Sequence, residues 1–220
     1  MQSLEARLQS SNNEPPQARK ACLAFLPQLT KVIEDSTDEP LRRVAVVCTD
    51  QIVERFGRKD VDAVSAAATI IGGSRCLATA EDSVVVAALL CLATMAEILG
   101  EAFIPIIPQS LPITMDHLAA SLDEDAEDPR LHNACYAFVT SLLLYLPLVV
   151  TGTSLDQFLK VSYESANAEM GDECNNIRTE ALKLVAKSLE PKDCFAALDR
   201  TWTSAMAEGP LVRYRKTCRQ

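Results

Sequence analysis

Apolar residues recur at intervals of three and four along most of this chain, the spacing that places side chains on one face of an α-helix. The clearest segment, 131–146, contains Leu131, Ala134, Cys135, Phe138, Val139, Leu142, Tyr145 and Leu146. A face this wide needs neighbours on more than one side. We therefore predict a helix that is packed between other helices.

The segment in front of this helix, 101–122, is interrupted by prolines. They are Pro105, Pro108 and Pro112. Because proline has no amide hydrogen and crowds the preceding turn, one straight helix is not expected. We expect the first two prolines in an entry turn and a regular helix from a capping Ser110 to Leu122. The acidic turn 123–128 then joins the two helices into an antiparallel hairpin.

The same spacing predicts helices on both sides of this hairpin. They are a short helix around Leu4 and Leu8, a helix over 18–33 with a kink at Pro27, helices over 41–56, 61–71 and 83–99, a helix that begins with a capping box of Ser154 and Gln157, a helix over 177–189, and a helix from Pro191 that ends at Gly209 and Pro210. Two buried faces are predicted from the spacing. They are Leu41, Val44, Ala45, Cys48 and Ile52 in one helix, and Cys194, Phe195, Leu198, Trp202 and Met206 in the last.

A small residue recurs in the second helix of the predicted hairpins. Ala45, Ala87, Ala134 and Ala181 are separated by 42, 47 and 47 residues. HEAT-type helical hairpins have this period, about 40 to 47 residues. A small side chain lets neighbouring second helices approach closely, whereas a large one would separate them.

These patterns predict an all-α fold, an α-solenoid of about four to five HEAT-type antiparallel hairpins. The predicted hairpins cover 15–57, 60–100, 101–147, 153–189 and 190–220, so that 1–220 forms a single solenoid segment. Neither end shows a polar cap, and an uncapped solenoid exposes an apolar end face. We therefore expect the chain to be a fragment of a longer array.

Composition agrees with closely packed helices. Of 220 residues, 48% are hydrophobic and only 5% are aromatic, which suits helices better than aromatic-rich strands. The net charge of -9 disfavours non-specific binding to nucleic acid or to an acidic membrane and favours a basic protein partner. Two apolar segments, Ser83–Gly100 and Leu131–Val150, contain polar residues that a lipid-facing helix would tolerate badly, so no membrane association is expected.

The cysteines are scattered singly, without paired spacing. Because Cys48, Cys91 and Cys135 fall within apolar helices, we expect buried thiols and a reducing compartment.

The turn inside each predicted hairpin is acidic. The residues are Asp35, Asp38, Glu39, Glu81, Asp82, Asp123, Glu124, Asp125, Glu127, Asp128, Asp172 and Glu173. Carboxylates favour the positive N-terminal ends of helices, and this structural interpretation is preferred. The alternative is an acidic edge, formed by stacked turns, that binds a basic partner.

Basic residues cluster less densely and give candidate phosphate contacts. They are Arg55, Arg58, Lys59, Arg213, Arg215, Lys216 and Arg219. These clusters are too few to form a continuous track for RNA, so solvated surface charge is the favoured interpretation.

The sequence offers little for catalysis. Only His117 and His132 are present, and His132 with Cys135 makes one pair at ligand spacing, without the second pair that a zinc site needs. The sequence Gly72-Gly73-Ser74-Arg75 lacks the lysine of a phosphate loop, so a helix break is predicted there. We expect no enzyme activity, no cofactor and no small-molecule substrate.

Four segments carry a resemblance to a known family. They are FIPIIPQSLP (103–112), LHNACYAF (131–138), TGTSLDQFL (151–159) and EPKDCFAALDRTWTSAMAEGP (190–210). Phe195, Leu198, Asp199, Arg200, Trp202 and Pro210 carry the most specific part. The chain resembles the HEAT-repeat U-three small nucleolar RNA-associated protein ten family, in a segment toward its C-terminal end, over residues 40–210.

The resemblance implies a nucleolar, non-catalytic scaffold of the small-subunit processome, in pre-rRNA processing and small-subunit biogenesis, with a link to rDNA transcription. Its implied partners are other processome proteins, with pre-ribosomal RNA and the U-three particle contacted indirectly. Two alternatives remain. One is a HEAT adaptor or transport-type receptor that grips basic proteins on its acidic edge, and the other is a solenoid that binds RNA directly.

Overall fold

The structure, a computed structural model, describes residues 16–79, 81–122, 129–167 and 171–217, without the side chains of 16–19, 167 and 205–217. Every regular element in these ranges is a helix, which confirms the all-α prediction. The predicted helix around Leu4 and Leu8 and the acidic turn 123–128 lie outside the described residues.

The α-helices in these ranges are α1 (Pro16–Leu23), α2 (Leu26–Asp35), α3 (Glu39–Phe56), α4 (Val61–Ile71), α5 (Ser74–Leu77), α6 (Asp82–Leu99), α7 (Ile107–Ala120), α8 (Pro129–Tyr145), α9 (Gly152–Asn167), α10 (Asp172–Ser188) and α11 (Pro191–Thr217). Two 3-10 helices, Gly57–Lys59 and Gly100–Ile106, precede α4 and α7. Asp38 caps α3 and Asp60 caps α4, because each side chain accepts a hydrogen bond of 3.1 Å from a backbone amide of the first turn.

The chain forms two compact units, Met1–Thr114 and Met115–Gln220. In the first unit α2 packs against α3 and against α4, α3 packs against α6, and α4 packs against α6. First helices of consecutive hairpins therefore contact each other, and so do second helices. The second unit shows the same rule, because α8 packs against α10 and α9 packs against α11. This stacking confirms HEAT-type hairpins within each unit, and a single array over 1–220 stays a prediction.

The small residues of the second helices lie at these contacts. Ala45, Ala134 and Ala181 are at most 3% exposed. Ala87 is only half-buried, and the next residue, Ala88, is fully buried. Since consecutive residues of a helix point about 100° apart, a one-residue offset moves the contact from Ala87 to Ala88.

We expect Ala134→Leu to lower the free energy of unfolding of the second unit by about 1 to 3 kcal/mol, because the added methyl groups overfill a packed contact. Urea denaturation followed by circular dichroism measures this change. Ala196→Leu, at an exposed position of α11, is the matched control and should leave stability within about 0.5 kcal/mol of wild type. Equal stabilities of the two variants would contradict the burial of Ala134.

The predicted buried face of α3 is wrong. Leu41, Val44 and Cys48 are exposed, whereas Arg42, Ala45, Val46, Thr49, Val53 and Phe56 face the core. The correct face is offset by about one residue. Arg42 is anchored in this orientation by its guanidinium, which donates hydrogen bonds to the carbonyl oxygens of Arg75 at 3.0 Å and Ser36 at 2.9 Å. The exposure of Cys48 also corrects the expectation that this thiol is buried.

The predicted face of α11 is also wrong. Phe195, Leu198 and Trp202 are exposed, and Ala197 and Thr201 are buried instead. The helix packs on α9 through its small residues, which permit the closer approach. In α8, Tyr145 is likewise exposed, although most of the predicted face is buried as expected.

Several predicted boundaries differ from the structure. The helix predicted over 18–33 is divided at 24–25, because Pro27 fits the first turn of α2 better than a helix interior. Helix α7 begins at Ile107, and Ser110 lies inside it, donating its hydroxyl hydrogen to the Ile106 carbonyl oxygen at 3.0 Å. Pro108 falls in the first turn of α7, where its missing amide hydrogen costs nothing.

Two further boundaries needed correction. Helix α9 begins at Gly152, whose φ of 56° suits glycine, so Ser154 lies within the first turn instead of capping it. Helix α11 continues past Gly209 and Pro210 to Thr217. A proline removes one hydrogen bond from a helix interior and can kink the helix without ending it.

Within the described residues, the stretch Asp82–Ala120 is long and apolar enough to cross a bilayer by length and composition. Half of its most apolar window is buried inside the protein, as is usual for core helices.

Candidate partner-binding surfaces

Two of the acidic turns adjoin in the first unit. The Glu39 carboxylate at the start of α3 accepts a hydrogen bond of 3.0 Å from the Thr79 hydroxyl, which precedes α6. Glu81, beside it, accepts a hydrogen bond of 3.0 Å from the Ser83 hydroxyl. The turn before α3 and the turn before α6 therefore adjoin within this unit.

Most of the other described acidic residues lie at helix N-termini, whereas Asp35 is the last residue of α2. Asp82 is in the first turn of α6, and Asp172 and Glu173 are in the first turn of α10, where negative charge stabilises the helix dipole. Asp123, Glu124, Asp125, Glu127 and Asp128 lie outside the described residues. This placement explains the carboxylates structurally, and a role of the edge in binding a basic partner stays a prediction.

The basic cluster in the Gly57–Lys59 helix is partly neutralised. The Arg58 guanidinium forms an ion pair of 2.7 Å with the Glu97 carboxylate, while Lys59 is exposed. The side chains of Arg213, Arg215 and Lys216 are not among those described, and Arg219 lies outside the described residues. Direct contact with phosphate stays a prediction for these positions.

A buried polar cluster surrounds His132 in the second unit. Its Nδ1 lies 2.9 Å from the Ser121 hydroxyl and its Nε2 lies 3.3 Å from the Ser165 hydroxyl. The Arg178 guanidinium donates a hydrogen bond of 3.0 Å to the Ser165 oxygen. Burial, with a smaller contribution from the Arg178 charge, lowers the pKa of His132 to about 4, so the ring is neutral at pH 7.

This cluster has a structural role. Both ring nitrogens of His132 face serines, and Cys135 is buried, so the pair at ligand spacing is not open to a metal ion. Among the residues that the structure describes, no group of three or more His, Cys, Asp or Glu side chains is placed to hold a metal ion.

The buried thiols are poor nucleophiles. Burial raises the pKa of Cys76 to about 11 and the pKa of Cys91 well above its ordinary value, so both remain protonated at pH 7.

The predicted helix break at Gly72 and Gly73 is confirmed, because α4 ends at Ile71 and α5 begins at Ser74. A side chain at Gly72 would meet the Ile106 Cγ2 atom at 2.8 Å, which explains the glycine by packing.

Sequence patterns did not reveal an apolar groove between α9, α10 and α11. Its cavity of about 280 Å³ is lined by Leu159, Ser162, Tyr163, Ala166, Leu182, Leu198, Thr201 and Trp202. The rings of Tyr163 and Trp202 form one wall, edge to face, with their centroids 6.4 Å apart. Beside the groove, Arg200 forms two hydrogen bonds of 2.9 Å with the Asp156 carboxylate. The groove could not be predicted because the helical spacing of Phe195, Leu198 and Trp202 indicates buried side chains, whereas these side chains are exposed.

Comparison with known proteins places the chain among fungal relatives. It is 42% identical over 209 residues to U3 small nucleolar RNA-associated protein 10 of Chaetomium globosum and 41% identical over 212 residues to that of Neurospora crassa, which is 95% and 96% of this chain. It is 39% identical over 206 residues to that of Coccidioides immitis. The chain spans about 12% of the length of the curated relatives it matches. No family model matches the chain.

Proposed function

Because this chain is homologous to part of the U3 small nucleolar RNA-associated protein 10 family, we propose that it is a non-catalytic scaffold segment of the small-subunit processome. It acts in nucleolar pre-rRNA processing and small-subunit biogenesis, with a link to rDNA transcription. The observation that carries this proposal is the 36–42% identity that extends along 94–96% of the chain in eight relatives of the same name.

The structure supports a binding role more than a chemical one. Stacked hairpins expose long edges to other molecules, whereas the one described histidine with a strongly shifted pKa, His132, is buried among serines. The chain's partners are other protein subunits of the particle, and its contact with pre-ribosomal RNA is indirect. The acidic edge of the first unit, with Asp35, Asp38, Glu39, Glu81 and Asp82, is one proposed contact for a basic subunit.

Affinity purification of the tagged protein from nuclear extract tests this proposal. We expect enrichment of U3 small nucleolar RNA and unprocessed pre-rRNA over an untagged control, and nucleolar fluorescence of a tagged copy. Asp35→Lys tests the acidic edge separately, because a positive charge at the last residue of α2 suits the helix dipole and should leave the fold intact. This variant is expected to lose basic subunits.

Two results would contradict the scaffold proposal. Recovery of transport cargo and a small GTPase without U3 RNA would favour the adaptor function. Direct binding of the purified protein to spacer RNA, with an affinity that falls steeply with salt and is lost in Lys59→Glu, would favour RNA binding.

A further inference from the structure

Helix α11 exposes a row of large apolar side chains. Phe195 is 73% exposed, Leu198 is 47% exposed and Trp202, the one tryptophan of the chain, is 57% exposed. Single exposed apolar residues are common on protein surfaces, but a contiguous cluster of large ones marks an interaction site. Tryptophan and tyrosine are also the residues that most often dominate binding energy at interfaces.

The groove beside this row offers apolar surface and few free polar groups. The Thr201 hydroxyl donates to the Ala197 carbonyl oxygen at 2.9 Å, and the Ser162 hydroxyl lies 2.9 Å from the Tyr136 hydroxyl. These two hydroxyls of the lining are therefore satisfied inside the protein. A cavity of about 280 Å³ accommodates one or two apolar side chains of a partner.

A carboxylate lies on the same face of α11 as the aromatic residues. Asp199 follows Phe195 by four residues and precedes Trp202 by three, the spacings that place side chains next to each other on a helix. Its neighbour Arg200 is bound to Asp156 through two hydrogen bonds and so does not neutralise it. Among the described side chains, none forms a hydrogen bond or an ion pair with Asp199.

We propose that this surface, which we call the α11 groove, docks a helix of a protein partner that carries an arginine beside its apolar residues. The inference rests on the proposed scaffold function, since it specifies a partner for that role. An apolar side chain of the partner enters the cavity between Tyr163 and Trp202. The partner's arginine pairs with Asp199 and stacks on an adjacent aromatic ring, which adds a cation–π contribution.

The charge of Asp199 favours a basic partner helix over RNA and over a second copy of this chain. RNA would place its phosphates near the Asp199 carboxylate, where like charges repel. A second copy that bound through the same face would bring two Asp199 carboxylates together across the two-fold axis, with the same cost. A basic amphipathic helix instead supplies the complementary charge.

Site-specific photo-cross-linking tests the α11 groove. The variant Phe195→p-benzoylphenylalanine places an aromatic cross-linker at an exposed aromatic position, and Phe25→p-benzoylphenylalanine, in the first unit, is the matched control. After irradiation in nuclear extract, mass spectrometry of the cross-linked peptides should identify one helical segment that contains an arginine within a turn of apolar residues. The control variant should not capture that segment.

A second substitution tests the role of the carboxylate. Asp199→Lys, combined with the cross-linker at 195, should reduce the yield of that cross-link about tenfold or more. The cross-link yield of Asp199→Arg should be restored when the partner's arginine is changed to aspartate. Unchanged circular dichroism and melting temperature would show that the exposed substitutions leave the fold intact. A cross-link to RNA or to a second copy, a yield insensitive to Asp199→Lys, or no cross-link above the Phe25 control would each overturn the inference.

The outcomes for the two proposals are separable. Co-purification of the Asp199→Lys protein with U3 RNA, together with an unchanged cross-link, would reject the groove and retain the scaffold function. Loss of U3 RNA from the wild-type protein, with a charge-dependent cross-link to a protein helix, would reject the processome assignment alone.

Discussion

Acidification from pH 7 to pH 5 is expected to destabilise the second unit by about 2 kcal/mol through His132 alone, and by about 3 kcal/mol at pH 4. Burial and the nearby Arg178 lower the pKa of this histidine to about 4, from an ordinary value of 6.5. The unfolded chain therefore binds the proton more readily than the folded protein. The contribution of His132 to stability is complete above pH 6.5 and is lost as the pH falls toward 4.

The size of this effect follows from the cluster around the ring. Ser121, Ser165 and Tyr136 contact the imidazole, and the charge that acts on it is that of the Arg178 guanidinium, which repels an imidazolium. No carboxylate is among the groups that shift the pKa of His132 in the described part of the chain. A proton on the ring consequently has no compensating partner.

Hydrogen exchange with mass spectrometry measures this loss in α8 and α9 at each pH. His132→Gln retains hydrogen-bonding groups but does not titrate, so its protection should fall less between pH 7 and pH 5 than that of wild type. His117→Gln, at the other histidine, is the matched control and should behave as wild type does. Parallel pH profiles for His132→Gln and wild type would contradict the prediction.

Arg42→Ala is expected to destabilise the first unit by about 3 kcal/mol, because two charge-assisted hydrogen bonds from a buried guanidinium are lost. Arg42 is only 6% exposed and connects the carbonyl oxygen of Ser36, in the hairpin turn, to that of Arg75, in α5. Its removal leaves both carbonyl oxygens without this donor and opens a cavity beside α3. The substitution is expected to weaken the attachment of the acidic edge as well.

Arg43→Ala is the matched control, since its side chain is exposed and one residue away. Urea denaturation should show a change within about 0.5 kcal/mol for the control and a clearly lower midpoint for Arg42→Ala. Arg42→Lys should recover only part of the loss, because one ammonium group cannot reach both carbonyl oxygens in the fork geometry of arginine. Equal midpoints for Arg42→Ala and Arg43→Ala would show that the two hydrogen bonds do not contribute to stability.

Helix positions and the period of the repeat could be predicted because they depend on local spacing. Val61–Ile71 was predicted correctly at both ends, and Ser83–Leu99 agrees within one residue with α6. Burial of Ala45, Ala134 and Ala181 followed from the same periodicity, since stacked hairpins impose a repeat on the sequence, whereas the prediction for Ala87 was offset by one residue. Acidic residues were correctly associated with helix N-termini at Asp38, Glu39, Asp82, Asp172 and Glu173, whereas Asp35 lies at the C-terminus of α2.

The sequence by itself determined the helical fold class, the hairpin period and the relationship to a family, because these properties depend on the spacing of apolar residues and on residue identity. Tertiary structure alone decided which side of α3 and which side of α11 is buried, since a rotation of one residue satisfies the same period but depends on the neighbouring helices. It buried Arg42 instead of Leu41, enclosed His132 with two serines, and paired Arg200 with Asp156 instead of Asp199. For the same reason Phe195 and Trp202, whose spacing is typical of a core, lie on the surface where a partner helix can bind.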